Sequence, residues 1–263
     1  MRRLVIRPGA IGDFIVSLPA LECLRADYLE VWTATPNVPL VRFAGAARSI
    51  ASTGLDLLGF ADPAPPRLID ELRGFDSIVS WYGTNRAEFR ELVRSLDLPF
   101  TFLPALPPQG GAGMHATDFY LEQVSALAGC CGDPIPRIPC SAARENFAVI
   151  HPFSGSPRKN WPLEKFLLLA RGLERRMPVR WCAGPEDPPL PGAHRIDDLY
   201  ELACWLAQAA LYIGNDSGIT HLAAAVGTPV LAIFGPTDPA VWAPRGPHVR
   251  IALWRNEPTL EKA

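Results

Sequence analysis

Short runs of branched and aromatic apolar residues alternate with longer stretches of helical periodicity along most of the chain. Strands that alternate with helices in sequence form parallel sheets with crossover helices, so the pattern predicts an α/β fold. In the first half, we predict strands at residues 4–7, 29–34, 77–81 and 100–103 and helices at residues 13–25, 85–96 and 115–127.

The same alternation of predicted strands and helices resumes after a segment at residues 129–146, which contains three prolines and little periodicity. Such a segment is typical of a connection between units, and a length of 263 residues fits two domains. We therefore predict domains at residues 1–140 and 141–263. In the second half, the predicted strands are residues 147–151, 179–183, 211–214 and 230–234, and the predicted helices are residues 163–175, 199–209 and 217–226.

Composition limits the classes of partner. Apolar residues make up 48% of the chain and charged residues 20%, which excludes a disordered protein. A net charge of −2 provides no long-range field for gathering nucleic acid, so we predict no nucleic-acid partner. Only three of the 25 basic residues are lysines, so each lysine is a more specific signal than an arginine.

The N-terminal residues begin as a signal peptide does, but Arg7 and Asp13 interrupt the apolar run. No stretch of about 18 uninterrupted apolar residues occurs, so we predict no transmembrane segment. The six cysteines show no C-x-x-C spacing, which favours free thiols in a reducing compartment over a zinc site. These features predict a cytoplasmic protein and leave peripheral contact with a membrane open.

A glycine-rich turn follows the first predicted strand, at residues 7–13. Gly9 and Gly12 allow a ligand to approach the backbone closely, and the helix start that follows favours anions. The dinucleotide-binding fingerprint needs three glycines, so NAD is disfavoured. Asp13 has two interpretations: an N-cap of the helix, which the sequence alone favours, or a general base in a cleft at the carboxyl end of the strand.

A second polar turn follows the first strand of the second half, at residues 151–162. Ser154, Gly155 and Ser156 offer hydroxyl groups and exposed amides, and Lys159 adds a positive charge, as a phosphate site requires. The segment does not match the P-loop pattern of NTPases. A solvated lysine beside an ordinary helix start explains the segment equally well.

The most specific motif runs from a buried strand into an apolar helix at residues 214–221. Asp216 or Ser217 can cap this helix, which leaves free backbone amides at its positive end. His221 lies four residues after Ser217 and therefore on the same helical face, either as a packed residue or as a reactive one. Thr237, in a turn after the next strand, is expected near the same ligand or in a purely structural turn.

Taken together, residues 7–13, 151–162 and 214–239 resemble glycosyltransferase family 9, the bacterial heptosyltransferases of lipopolysaccharide core assembly. The resemblance implies a GT-B architecture, in which two Rossmann-like domains face each other across a cleft. It also implies an inverting, metal-independent glycosyltransferase that needs no cofactor. The second domain would hold a nucleotide-diphosphate sugar, with ADP-heptose as the expected donor. The first would hold a lipopolysaccharide-core-like or other glycan acceptor, free or lipid-linked.

The resemblance assigns a role to each motif. Asp13 matches the base that takes the proton from the acceptor hydroxyl, and Lys159 matches the lysine at the donor diphosphate. Glu186 is a looser match to an acid that binds ribose. Gly9 and Gly12 belong to the acceptor-side loop, and no metal ligand is implied. The positions at the donor phosphates or sugar are Ser154, Gly155, Ser156, Asp216, Ser217, Gly218 and His221, with Thr237 beside them.

Two departures from the family pattern keep other functions open. Phe153 stands where the family usually has glycine, and the region after residues 77–81 is shorter than in typical members. A short acceptor side fits a family member that binds a nucleotide sugar or a partner protein without catalysis. A GT-B sugar-nucleotide epimerase or hydrolase is a third interpretation. The presence of Asp13 and Lys159 favours the transferase.

Overall fold

The computed structural model describes residues 1–60, 65–108, 113–129 and 132–256. These residues form two five-stranded sheets in which every pairing between strands is parallel. The first sheet has the order β3-β2-β1-β4-β5. Its strands are β1 (Arg2–Arg7), β2 (Tyr28–Thr33), β3 (Ala46–Ser49), β4 (Ser77–Ser80) and β5 (Phe100–Phe102), and its helices are α1 (Ile11–Cys23), α2 (Pro66–Arg73), α3 (Ala87–Ser95) and α4 (Ala116–Ala128).

The second sheet has the order β10-β9-β8-β6-β7. Its strands are β6 (Glu145–His151), β7 (Val179–Trp181), β8 (Ala209–Asn215), β9 (Val230–Phe234) and β10 (Val249–Leu253), and its helices are α5 (Leu163–Leu173), α6 (Leu199–Ala207), α7 (Gly218–Ala225) and α8 (Pro239–Trp242).

The central strands are buried on both faces. From its second residue onward β1 is buried throughout, and all five residues of β9 are buried. A strand covered by helices on both sides needs a continuous apolar run rather than an alternating one, which is the pattern that these segments carry. Helix α3 shows the complementary pattern, because its buried residues, Phe89 and Val93, are four residues apart and lie on one face.

One cluster of buried apolar side chains contains residues from both sheets, including Val5 and Val149, together with helices α1, α4, α6 and α7. Two further clusters lie on the outer sides, one between the first sheet and helices α2 and α3 and the other between the second sheet and α5. The two halves of the chain therefore share one apolar core rather than meeting only through a solvated polar interface.

Polar contacts also join the halves. The guanidinium of Arg245 donates to both carboxylate oxygens of Asp118, one of them at 2.6 Å. His115 accepts from the backbone N–H of Thr117 at one ring nitrogen, so its Nε2 donates to the carbonyl oxygen of Ala243 at 2.8 Å. Burial lowers the pKa of His115. These bonds attach the start of α4 to the segment that follows α8.

The strand orders place three turns where ligands bind in open α/β sheets. In the first sheet, the direction of strand addition reverses beside β1, and in the second it reverses between β6 and β8. A crevice opens outside the carboxyl ends of the strands at such a switch point. The turns that follow β1, β6 and β8 carry the three motifs of the sequence, so the topology brings all of them to switch points.

Each predicted strand and helix is present in the described residues, with ends shifted by a few positions. The sequence pattern does not predict strand β3 or helices α2 and α8, which are short and weakly apolar. It also does not predict strand β10. Strands β1–β5 precede residue 140 and β6–β10 follow it, and the boundary itself stays a prediction. Cys130 and Cys131 lie outside the described residues. Within those residues, no helix is both long and apolar enough to cross a membrane.

Candidate functional site

The turn after β1 presents Asp13 at the start of α1. Ala10 occupies the N-cap position, and Asp13 is the third helical residue, so the prediction that Asp13 is the N-cap is wrong. Its Oδ2 accepts a hydrogen bond from the backbone N–H of Ala10 at 3.2 Å, one turn back along the chain. Gly9 has a φ of +121°, and a Cβ there would lie 3.0 Å from the Cβ of Asp13. Glycine is therefore required for the turn that brings the carboxylate to the helix start.

A buried arginine forms a hydrogen bond with the backbone of this turn. Arg7, the last residue of β1, is 1% exposed, and its guanidinium donates to the carbonyl oxygen of Asp13 at 2.9 Å and to the hydroxyl of Ser17 at 3.0 Å. It also lies 4.5 Å from the ring centroid of Tyr120, close enough for a cation–π contact. The backbone of Asp13 is thus held by a group whose burial the sequence did not reveal.

The turn after β6 forms a compact loop at residues 152–161. The hydroxyl of Ser154 lies 2.8 Å from the carbonyl oxygen of Ser156 and 2.8 Å from Oδ1 of Asn160, so it stabilises the loop from inside. Gly155 is exposed at the tip, where a Cβ would meet nothing within 4 Å. Phe153 is buried and packs edge-on against His151, with ring centroids 6.4 Å apart. Its ring therefore faces the interior.

The carboxylate of Asp216 is the centre of a polar cluster. It is 4% exposed, and its Oδ2 accepts from Nζ of Lys159 at 2.8 Å and from the hydroxyl of Thr237 at 2.7 Å. Nε2 of His221 lies 4.0 Å from its other oxygen. Three separate turns thus meet at Asp216, as the predicted grouping of Lys159, Asp216, His221 and Thr237 requires.

His221 is neutral in this cluster. Burial lowers its pKa to about 4; the negative charge of Asp216 opposes this shift, and His115 and Lys159 add to it. At pH 7 the imidazole is therefore uncharged. The positive charge of the cluster lies on Lys159.

The starts of α1 and α7 touch each other. Ser217 is the N-cap of α7 and accepts from the backbone N–H of Thr220 at 3.3 Å, which confirms the predicted cap. A Cβ on Gly218 would lie 2.7 Å from the Cβ of Ile11, and one on Gly12 would lie 3.5 Å from Cδ2 of His221. The two turns therefore approach closely, and two helix N-termini, each favouring negative charge, lie on one site.

Glu186 lies apart from this cluster on an exposed loop after β7. In the described parts of the chain, no hydrogen bond or ion pair joins it to Lys159 or Asp216. Its neighbour Asp187 is the anchored acid, because it accepts from Nε2 of His151 at 3.0 Å and from the backbone N–H of Gly184 at 2.6 Å. Burial raises the pKa of Asp187, but these bonds outweigh burial and lower it overall. Ribose binding by Glu186 stays a prediction.

Asn215, the last residue of β8, is a polar residue whose role the sequence pattern does not indicate. It is fully buried. Its side-chain Nδ2 donates to the carbonyl oxygen of Pro152 at 2.7 Å, and its Oδ1 accepts from the backbone N–H of Trp161 at 2.9 Å. The only available signal was its position between a buried strand and Asp216.

The site combines a lysine paired with a buried carboxylate, two neighbouring helix N-termini and the carboxylate of Asp13. Lys159 and the start of α7 supply positive charge from the second half, and Asp13 supplies a half-buried proton acceptor from the first. Among the residues that the structure describes, no group of three or more His, Cys, Asp or Glu side chains could hold a metal ion.

The chain resembles curated proteins over part of its length. A lipopolysaccharide heptosyltransferase 3 from Escherichia coli (strain K12) is 30% identical over 155 residues, which cover 52% of this chain and 45% of that protein. A second lipopolysaccharide heptosyltransferase 3 from Escherichia coli is 31% identical over 133 residues, covering 43% and 38%. The matched segment thus spans less than half the length of these relatives.

Solved structures resemble nearly the whole chain. A glycosyltransferase family 9 protein from Veillonella parvula DSM 2008 has a TM-score of 0.73 at 18% identity and covers 97% of this chain and 86% of its own. The E. coli heptosyltransferase WaaC with ADP has a TM-score of 0.71 at 18% identity, covering 96% and 93%. These similarities confirm the predicted GT-B architecture. The model of glycosyltransferase family 9 (heptosyltransferase) matches residues 115–263, more than half of the sequence, so the chain belongs to that family.

Proposed function

We propose that this protein is an inverting, metal-independent heptosyltransferase that transfers heptose from ADP-heptose to a lipopolysaccharide-core-like or other glycan acceptor in the cytoplasm. One observation carries the proposal. Lys159 and the N-terminus of α7 converge on one site, and the turn that bears Asp13 packs against that helix start from the other half. A cationic anion site and a proton acceptor are the two elements that this displacement needs.

The donor assignment rests on charge and on the family. A diphosphate carries concentrated negative charge, which a lysine and a helix N-terminus stabilise without a metal. Ser156 and Gly155 lie on the loop beside Lys159, where their hydroxyl and amide groups can add hydrogen bonds. The structural relatives include WaaC with ADP and WaaC with ADP-2-deoxy-2-fluoro heptose, which supports an adenine nucleotide sugar as the ligand.

The proposed reaction is a single displacement. An acceptor hydroxyl attacks the anomeric carbon on the face opposite the diphosphate, a new C–O bond forms as the bond to the diphosphate breaks, and the configuration inverts. Asp13 accepts the proton of the attacking hydroxyl. Lys159 and the amides at the start of α7 stabilise the negative charge that develops on the departing ADP. The leaving diphosphate is weakly basic, so it needs little help from an acid.

The first test measures ligand binding by thermal shift. ADP and ADP-heptose should raise the melting temperature, since a ligand that binds the folded state stabilises it. Lys159→Ala should remove most of the shift, because it deletes the cation at the diphosphate. Lys165→Ala is the matched control: this lysine lies on α5 over the ring of Trp161, 5.7 Å from its centroid. An unchanged shift in Lys159→Ala would contradict the proposed site.

The second test measures turnover. Incubation with ADP-heptose and a lipopolysaccharide-core acceptor should release ADP and form a glycoside of inverted configuration, and EDTA should not reduce the rate. A strict requirement for magnesium or manganese would contradict the mechanism. Binding of ADP-heptose without turnover on any acceptor would indicate a non-catalytic member of the family.

A further inference from the structure

Asn215 joins two turns at the point where the sheet can no longer join them. The register of β6 and β8 ends with the pair His151 and Gly214. One residue further along, the side chain of Asn215 bonds to the carbonyl oxygen of Pro152 and to the backbone N–H of Trp161. A buried amide thus continues the connection between the two strands beyond their last backbone pair.

These two bonds fix both ends of the loop at residues 152–161. The loop contains Ser154, Ser156 and Lys159, and its internal bonds hold its shape. The residue that fixes it is adjacent in sequence to Asp216, whose carboxylate accepts from Nζ of Lys159 at 2.8 Å. Lys159 and the start of α7 therefore meet next to the two bonds of Asn215.

An amide satisfies both partners at this position, whereas an ionised carboxylate or an apolar side chain does not. The carbonyl oxygen of Pro152 needs a donor and the N–H of Trp161 needs an acceptor, so the orientation of the Asn215 side chain is determined by its partners. A carboxylate of the same shape would still accept from Trp161, but it would place an oxygen against the oxygen of Pro152. An apolar side chain would leave both buried backbone groups without partners.

We propose that Asn215 is a positioning residue that aligns Lys159 with the N-terminus of α7, and so sets how strongly the site binds the diphosphate of a nucleotide sugar. The inference rests on the proposed function, since it assumes that this site takes such a ligand. Asn215 is fully buried and acts through the loop rather than by touching the ligand. Its effect should depend on the presence of Lys159 and on the second phosphate of the ligand.

The test compares ADP with AMP by isothermal titration calorimetry. Asn215→Asp should raise the Kd for ADP by about tenfold or more and should change the Kd for AMP by less than about twofold. In a Lys159→Ala background, Asn215→Asp should cause little further loss for ADP, because a residue that acts through the lysine has nothing left to position. Asn85→Asp, at an exposed position of the first half, is the matched control.

Each outcome separates the inference from the proposed function. If the unmodified protein does not bind ADP, the proposed function fails and the inference fails with it. If it binds ADP but Asn215→Asp binds ADP equally well, loses ADP and AMP to the same extent, or loses ADP additively with Lys159→Ala, only the positioning role is overturned. Asn215→Ala, which removes both side-chain bonds, is measured alongside with the same expectations, and it replaces Asn215→Asp should circular dichroism show that variant to be unfolded.

Discussion

The two halves of the chain each place a turn at the switch point of a parallel sheet, but the turns differ in the hydrogen bonds that their carboxylates accept. In the second half, Asp216 accepts hydrogen bonds from Lys159 and Thr237, and three turns depend on one another. In the first half, within the described residues, the carboxylate of Asp13 accepts from the backbone of its own turn. In the proposed mechanism, a site for the diphosphate that every donor carries can be built in advance, whereas the base must stay available to its substrate.

The largest expected effect is on the first-half turn. Asp13→Asn should lower kcat by about 10²- to 10⁴-fold, the usual contribution of a general base, because an amide does not accept the proton. The amide oxygen can still accept from Ala10, so the turn should keep its shape, and the Kd for ADP should stay unchanged. Turnover assays and calorimetry measure these two quantities.

A matched control for this change is Asp70→Asn, at a largely exposed position of α2. It should leave both kcat and ADP binding unaltered. Full turnover in Asp13→Asn would eliminate Asp13 as the base. A parallel loss of ADP affinity would show that the two turns are not separable in function, and the contrast between them would have to be abandoned.

An intermediate effect is expected from pH on the second-half cluster. The pKa of His221 is about 4 in the folded protein, below the ordinary value of 6.5. The unfolded chain therefore binds more protons between these values, and stability falls as pH drops from 6.5 towards 4. From pH 7.5 to pH 5 the loss attributable to His221 is about 2 kcal/mol, measured by urea unfolding.

His221→Gln should flatten this pH dependence. His115 adds a pH dependence of stability of the same sign, because burial lowers its pKa as well. The variant His115→Gln measures that contribution. Asp118 and Asp187 have lowered pKa values, so they lose their contribution only below the ordinary aspartate value of 3.8, outside this window. An equally steep slope in His221→Gln would mean that the cluster around Asp216 is open to water.

The sequence predicted the turns that form the site better than the side-chain hydrogen bonds within it. Spacing and apolar pattern located the three turns, because strand ends and helix starts follow local rules. The bonds of Asn215 and the burial of Arg7 depend on which strands become neighbours, and a single sequence does not contain that information. Glu186 and Asp187 show the same limit: two adjacent acids look equivalent in sequence, yet the fold anchors Asp187 and leaves Glu186 exposed.

The smallest expected effect concerns the ion pair that joins the two halves. Arg245 donates to both oxygens of Asp118 and lowers the pKa of that carboxyl, but their side chains are 24% and 42% exposed. A double-mutant cycle with Asp118→Ala and Arg245→Ala should therefore give a coupling of about 0.2–1 kcal/mol in the free energy of unfolding. The coupling should shrink as salt rises, because solvent-exposed charges are screened. Coupling near zero at low salt would leave the shared apolar core, with the bond from His115 to Ala243, to hold the two halves together.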